Sequence, residues 1–290
     1  AARPQWSAAY QHKEEYAKED SRPRPVVACT VGCIKHGWAG ITPWTDSLAT
    51  LDTVADPALA WSWRSEEQEV RDGLYRSLEA EQAAAAVVPY PSEAARILAL
   101  GQAAFGDLRG LLAGLPDELL DETPREGEWP LRPALHHMLH RELTMRANTA
   151  YALARTRTEP VEFPQDRLPR PEEADVSGGI AAILVRYTFE REITDIGFEA
   201  IGEEQMLLPT VWAGYEVDVR FRLNRFGGHI AEHTIQCEKT LGWLNLAPAE
   251  ARLITRRISY VRGLHERYSD PAVLDQLDRV NRERAAEFSA

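Results

Sequence analysis

The sequence predicts an all-α protein with a four-helix bundle at its centre. Four long segments carry apolar residues at helical spacing, and proline, glycine or a capping residue bounds them. The chain has 290 residues, of which 44% are hydrophobic, and this is ample for a buried core. We therefore expect an ordinary globular protein that is extended at both ends of the bundle.

Residues 1–90 are expected to form an N-terminal extension that is irregular first and helical afterwards. The stretch SRPRPVVACTVGCIKHGWAGITPW contains several prolines and glycines, which favours extended or loop-rich structure over about the first sixty residues. The segment 61–88 is instead rich in Glu, Arg, Leu and Ala, and is predicted to be a helix.

Residues 91–244 hold the four predicted bundle helices. Ser92 has the side chain of an N-cap for the first helix, which runs until Gly114. Pro130 suits the first turn of the second helix, which continues to about Arg155.

A long exposed connection is predicted between the second and third helices, because residues 156–175 hold four prolines and little periodic apolar signal. The third helix is expected over residues 176–202. The fourth is expected over residues 217–243, after a loop that contains Pro209 and Gly214.

The fourth predicted helix carries an apolar stripe that places a histidine in the core. The stripe consists of Val219, Leu223, Phe226, Ile230, His233, Cys237 and Leu241. The side chains expected to face away from it are Arg222, Glu232, Gln236 and Lys239.

Residues 245–290 are predicted to form a C-terminal helical extension. The segments APAEARLITRRISYVRGLHERY and PAVLDQLDRVNRERAAEF are two helical stretches that we expect to pack outside the bundle or against a partner. These additional terminal helices favour a homodimer.

The charge of the chain restricts its partners. The net charge of −12 is spread over all regions, which argues against nucleic acid or an anionic membrane, because both select a basic face. A small-molecule substrate or another protein is the expected partner. No run of about eighteen apolar residues occurs, and the polar start has no signal-like stretch, so a cytoplasmic protein is expected.

His229 and His233 are the strongest functional signal in the sequence. Four residues make about one helical turn, so both imidazoles lie on one face of the helix. Burying two imidazoles costs a few kcal/mol unless each finds a partner, and one metal ion satisfies both. From this pair alone, metal binding and two hydrogen-bonded core histidines remain equally open.

The second predicted helix offers a third ligand from the cluster His136, His137 and His140. The periodicity of this helix does not decide which of them points inward. Because His136 and His140 are themselves four residues apart, a second metal or a different register remains open.

Two sequence blocks resemble the motifs of the DinB-like superfamily, also called the DinB/YfiT-like metalloenzymes. GEWPLRPALHHMLHRE is similar to the family's tryptophan that is followed eight residues later by a metal-binding histidine, and RFGGHIAEHTIQCEKTL is similar to its H-x-x-x-H segment in helix four. The matching residues are Trp129, His137, His229 and His233. The second block is the more specific one, and the resemblance covers about half of the chain.

The resemblance implies a four-helix bundle with a long crossover between helices two and three, and metal ligation by His137, His229 and His233. Three imidazoles leave a coordination position open, which is typical of catalytic sites. Imidazole suits Zn²⁺, Ni²⁺ and Fe²⁺, and the ligand set does not choose among these divalent ions.

The resemblance also implies a chemistry, since several members are metal-dependent transferases or isomerases that use a low-molecular-weight thiol such as mycothiol or bacillithiol. A thiol of pKa about 8.5 loses its proton on such an ion, so no protein base is required. The expected function is thus a metal-dependent transferase that activates a thiol. The alternatives are a non-catalytic metal-binding, interaction or stress-response protein and a metal-dependent hydrolase.

Two carboxylates and one thiol are further candidates near the histidines. Glu142 and Glu232 are placed to orient an imidazole or to shuttle a proton, although charged helix positions are usually solvated. Cys237 lies one turn beyond His233 and would be a fourth ligand, but the apolar stripe favours a small hydrophobic residue there.

Cys29 and Cys33 with His36 form half of a zinc-site pattern without a convincing fourth ligand, so two idle thiols are the preferred interpretation. Gly227 and Gly228 each cost about 1 kcal/mol within a helix. Two explanations for this glycine pair are equally open. The glycines either leave space for a neighbouring helix or a ligand, or they allow a helix kink.

Overall fold

The computed structural model describes residues 43–59 and 69–289, and within these ranges the chain is mostly helical. The helices are α1 (Pro43–Ala58), α2 (Val70–Ala85), α3 (Glu93–Leu112), α4 (Leu131–Ala154), α5 (Ile180–Phe198), α6 (Glu203–Met206), α7 (Val219–Trp243), α8 (Glu250–His265) and α9 (Pro271–Phe288). The strands β1 (Pro209–Trp212) and β2 (Tyr215–Asp218) pair antiparallel between α6 and α7. None of the described helices is long and apolar enough to cross a membrane. The all-α prediction is confirmed.

Helices α3, α4, α5 and α7 share one apolar core. Helix α7 contacts α3 and α4, and α5 contacts the same two helices. Residues from each helix meet in this core, among them Leu108, Leu135, Ile183 and Ile230. The connection between α4 and α5 contains only two short 3-10 turns, as its prolines predict.

Helices α3 and α7 each begin with a capping side chain. The Ser92 hydroxyl accepts a hydrogen bond from the Ala95 amide at 2.9 Å, so the predicted cap of α3 is confirmed. Asp218 caps α7 through the Phe221 amide at 2.7 Å, and this starts the helix two residues later than predicted. Helix α5 begins at Ile180, later than predicted.

Residues 209–218 form a hairpin where the sequence predicted a loop. The turn between the strands consists of Ala213 and Gly214, with φ angles of 50° and 85°. Two successive residues with positive φ match the right-handed twist of a hairpin with a two-residue connection.

The hairpin explains an error about Arg222, which was expected to face away from the core. The side chain is only 3% exposed, because the hairpin packs on the first turns of α7. Its guanidinium donates hydrogen bonds to the Val211 carbonyl oxygen and to the Asn148 side-chain oxygen, and lies over the Trp212 ring.

The prediction of irregular structure up to about residue 60 is wrong for residues 43–58, which form α1. Leu48, Leu51 and Ala55 recur at helical spacing, and all three are buried against a core shared with α8 and α9. The structure of α2 confirms the helical prediction from Val70 onward. Residues 1–42 and 60–68 lie outside the described ranges, together with the predictions made for them.

The two predicted C-terminal helices are present, and they pack against the N-terminal helices. Helices α8 and α9 contact α1 and α2, and α8 also lies along α3. The approach of α8 to α3 requires Gly106, since a Cβ there would lie 2.2 Å from the Ser259 carbonyl oxygen. Buried Arg262 of α8 pairs with Glu81 at 2.6 Å and with Asp278 at 3.0 Å.

Candidate metal centre

His137, His229 and His233 come together where α4 packs against α7. One ring nitrogen from each lies within 4.8 Å of the other two. The Nε2 atoms of His137 and His229 are 3.2 Å apart. The ring centroid of His233 lies 4.7 Å from that of His137 and 4.5 Å from that of His229. The structure thus brings the three predicted ligands into one cluster.

The cluster is buried on one side and accessible on the other. His229 is 3% exposed, whereas His137 and His233 are only partly buried. His233 lies at the edge of the core, beside fully buried Thr234. Helix α7 packs against both α3 and α4, so its buried face is wider than a single stripe.

Trp129 flanks the cluster from the segment before α4. Its ring meets that of His137 edge to face, with centroids 5.4 Å apart, and the side chain is 40% exposed. The Thr240 hydroxyl of α7 donates a hydrogen bond to the Trp129 carbonyl oxygen at 3.2 Å, which ties this segment to α7.

Gln236 orients His233, and the sequence interpretation missed it by placing Gln236 on the outer face. The Nδ1 atom of His233 lies 2.7 Å from the Gln236 Oε1 atom. Because an amide oxygen only accepts, Nδ1 carries the proton and donates, and the Nε2 lone pair remains free. The i, i+3 spacing of the two residues was the sequence feature that could have indicated this contact.

The two carboxylates proposed as partners of the imidazoles are bound elsewhere. Glu142 is fully buried, pairs with Arg191 at 3.0 Å and accepts a hydrogen bond from the Thr194 hydroxyl at 2.6 Å. Glu232 pairs with Arg225 at 2.7 Å. Neither residue hydrogen-bonds to an imidazole of the cluster, and for Glu142 the reason is that it faces α5.

His136 and His140 are not part of the cluster. Their Nε2 atoms hydrogen-bond to the carbonyl oxygens of Pro171 at 3.0 Å and Pro169 at 2.9 Å. Both side chains therefore hold the connection between α4 and α5 against α4, and among the three histidines of the sequence cluster only His137 meets α7.

The cysteines add no ligand within the described ranges. Cys237 is fully buried, and burial raises the pKa of its thiol to about 12. It does not belong to the histidine cluster. Cys29, Cys33 and His36 lie outside the described residues.

The imidazoles are held in the neutral form. Burial, followed by the charge of His233, lowers the pKa of His137 to about 3 and that of His229 to about 2. Burial also lowers the pKa of His233 below its ordinary value. Neutral imidazole is the form that binds a metal ion.

The separation between the nitrogens of His137 and His229 fits a divalent ion. Metal–nitrogen bonds of about 2.0–2.1 Å at tetrahedral angles place two ligand nitrogens about 3.3 Å apart. The observed separation of 3.2 Å between His137 and His229 agrees with this value. With Gln236 fixing the ring of His233, the cluster has the donor atoms and the protonation state of a three-histidine metal site.

Gly227 allows α3 and α7 to approach closely beside the site. A Cβ at this position would lie 3.0 Å from the Cα atom of Gly101. Helix α7 continues from Val219 to Trp243 without a break. Of the two explanations for this glycine, space for a neighbouring helix is confirmed.

Comparison with known proteins found no family model, no curated protein and no solved structure that matches this chain. The residues of the site and their geometry are therefore the basis on which we infer a function.

Proposed function

We propose that the protein is a metal-dependent enzyme of the DinB-like superfamily, in which α3, α4, α5 and α7 form the four-helix bundle over residues 91–244. The shared core of these helices supports this proposal. The long connection between α4 and α5 supports it as well, since it corresponds to the crossover between helices two and three.

The cluster of His137, His229 and His233 is the observation that carries the proposal. Its three neutral imidazoles would hold one Zn²⁺, Ni²⁺ or Fe²⁺ ion. His137 and His233 are only partly buried, which leaves this side of the site partly accessible to solvent. A three-histidine set leaves a coordination position open, which favours a catalytic site over a structural one.

The proposed reaction is the transfer of a low-molecular-weight thiol to an electrophilic substrate. A divalent ion at this site supplies Lewis acidity, which lowers the pKa of a thiol. The thiol proton passes to solvent, and the sulfur forms a bond to the electrophilic carbon as the bond from that carbon to its leaving group breaks. The leaving group departs into solvent with the electron pair of that bond. We assign no protein base, because Glu142 and Glu232 are engaged by Arg191 and Arg225.

Elemental analysis tests the metal site. We expect about one divalent ion per chain in the wild type and its loss in His233→Ala. His140→Ala is the matched control, because His140 belongs to α4 but binds the connection instead. If the wild-type protein contains no metal after mild purification, this result contradicts the proposal.

Turnover assays separate the possible activities of a metal-loaded protein. Loss of a model electrophile that requires mycothiol or bacillithiol supports the transferase. Turnover with water alone would establish a hydrolase instead, and no turnover under either condition favours a non-catalytic metal-binding protein. The homodimer remains a prediction, and a mass near 32.6 kDa in light scattering would contradict it.

A further inference from the structure

Arg141 lies one helical turn after His137, on the same side of α4. Its side chain is partly buried. Within residues 43–59 and 69–289, its guanidinium has no hydrogen bond and no ion pair, whereas Arg146, Arg191 and Arg225 are each paired with a carboxylate. Its charge is therefore not neutralised by a carboxylate within the described ranges, and its guanidinium N–H groups are free to bind a ligand.

A second arginine approaches the cluster from α7. Arg225 precedes His229 by one turn, so Arg225, His229 and His233 form one row along the helix. Its guanidinium lies 5.3 Å from the Trp212 ring centroid and pairs with the exposed carboxylate of Glu232. The Glu232 carboxylate of this ion pair is exposed to solvent, so it leaves some of the Arg225 guanidinium N–H groups available to a ligand.

The two arginines lie on the same side of the histidines, because α4 and α7 run antiparallel. Thr240 hydrogen-bonds to Trp129 at one end of this helix pair, and Arg222 hydrogen-bonds to Asn148 at the other end. Residues with higher numbers in α4 therefore face residues with lower numbers in α7. Arg141 and Arg225 both lie between the histidine cluster and the end of the helix pair that contains Asn148.

The electrostatics agree with this placement. The charges of Arg141 and Arg225 both act on His229 and His233. In a chain of net charge −12, two guanidinium groups thus act on one cluster of neutral side chains.

We propose that Arg141, assisted by Arg225, binds an oxyanion group of the molecule that occupies the histidine site. The planar guanidinium fork matches the paired oxygens of a carboxylate or phosphate, and the partly buried position strengthens such a contact. This inference rests on the proposed function for the presence of a ligand at the site. It narrows the substrate to small molecules that carry a carboxylate or phosphate near the reacting atom.

Calorimetric titration at fixed ionic strength tests the proposal, with inorganic phosphate and acetate as separate probes. The wild type should bind at least one of them, and Arg141→Gln should weaken that binding about tenfold or more. The better-bound probe identifies the oxyanion. Arg257→Gln is the matched control, because Arg257 is an exposed arginine of α8 and the change in charge is the same. It should alter the affinity less than twofold.

The metal content of each sample is measured in parallel, which separates the two proposals. A wild type without metal counts against the proposed function, while the comparison of wild type with Arg141→Gln still decides the role of Arg141. If Arg141→Gln does not fold, Arg141→Lys retains the charge without the fork and should weaken binding as well. Binding of neither anion by the wild type, or equal binding by wild type and variant, overturns the inference.

Discussion

The Nε2 atoms of His137 and His229 lie 3.2 Å apart, although 92 positions separate the two residues in the sequence. Two imidazoles at this distance either share one proton or bind one ion. Their pKa values of about 3 and 2 keep both rings neutral. A ring nitrogen of His233 is the third ligand atom of a set that can bind one ion. The packing of α4 on α7 therefore creates the site.

Replacement of Gln236 should weaken metal binding without removing a ligand. Gln236→Ala deletes the acceptor for His233 Nδ1, so the ring loses its fixed orientation and tautomer. Loss of such a contact typically lowers metal affinity about 10- to 100-fold. Competition with a chromogenic chelator measures the affinity. Glu232→Gln is the control, because Glu232 pairs with Arg225, and equal affinities for both variants would contradict the role of Gln236.

Replacement of Arg191 should destabilise the fold far more than replacement of a surface arginine. Arg191 is fully buried and pairs with Glu142 at 3.0 Å and Asp195 at 2.6 Å. Arg191→Met leaves two buried carboxylates without a counter-charge, which costs about 3–5 kcal/mol.

Urea unfolding measures this loss. Arg186→Met is the comparison, because Arg186 pairs with the exposed carboxylate of Asp175, and such pairs contribute about 0–1 kcal/mol. Similar losses of the free energy of unfolding in the two variants would show that the Arg191 network contributes little.

Helices with long apolar periodicity were predictable, and short elements were not. Ser92 marks the start of α3 because a capping side chain acts locally. The hairpin was missed because its turn places Ala213 at positive φ, which few alanines adopt. Helix α1 was missed because the prolines and glycines before it outweighed the spacing of Leu48, Leu51 and Ala55.

The histidines of the site were predictable, but their surroundings were not. The spacing of His229 and His233 fixes their common face, whatever the tertiary structure. The partner of a charged side chain depends instead on which helix packs opposite. Sequence spacing therefore could not show that Glu142 faces Arg191, or that Arg141 has no acidic partner within the described ranges.

The stability of the protein should depend on pH through Asp52. This residue is fully buried in α1 and lies 3.1 Å from the Arg252 guanidinium. Burial raises the pKa of Asp52 to about 6, although Arg252 opposes the increase. Because the pKa of Asp52 is higher in the folded state, protonated Asp52 stabilises the fold. This contribution to the free energy of unfolding is fully present below pH about 4 and is lost as the pH rises through about 6.

Asp52→Asn should remove this dependence, since the amide does not ionise. The free energy of unfolding of the variant, relative to wild type, should increase by up to about 3 kcal/mol between pH 4 and pH 7. Urea unfolding over this pH range measures the difference. Parallel stability curves for the two proteins would show that Asp52 ionises as readily in the folded state as in the unfolded state.

The neighbouring glycines of α7 should respond to alanine with opposite signs. A Cβ at Gly227 would lie 3.0 Å from the Cα atom and 3.2 Å from the backbone nitrogen of Gly101, so α3 must move away. Such overpacking costs about 1–3 kcal/mol. At Gly228 the nearest atom is the flexible Arg225 guanidinium at 3.4 Å, and alanine gains up to about 1 kcal/mol of helix propensity.

Urea unfolding of Gly227→Ala and Gly228→Ala, both without metal, tests this contrast. Because the two substitutions add the same methyl group to adjacent positions of one helix, propensity is common to both and the difference reports the contact with Gly101. If Gly227→Ala stabilises the protein as much as Gly228→Ala does, α3 and α7 are not in close backbone contact, and Gly227 does not serve their packing.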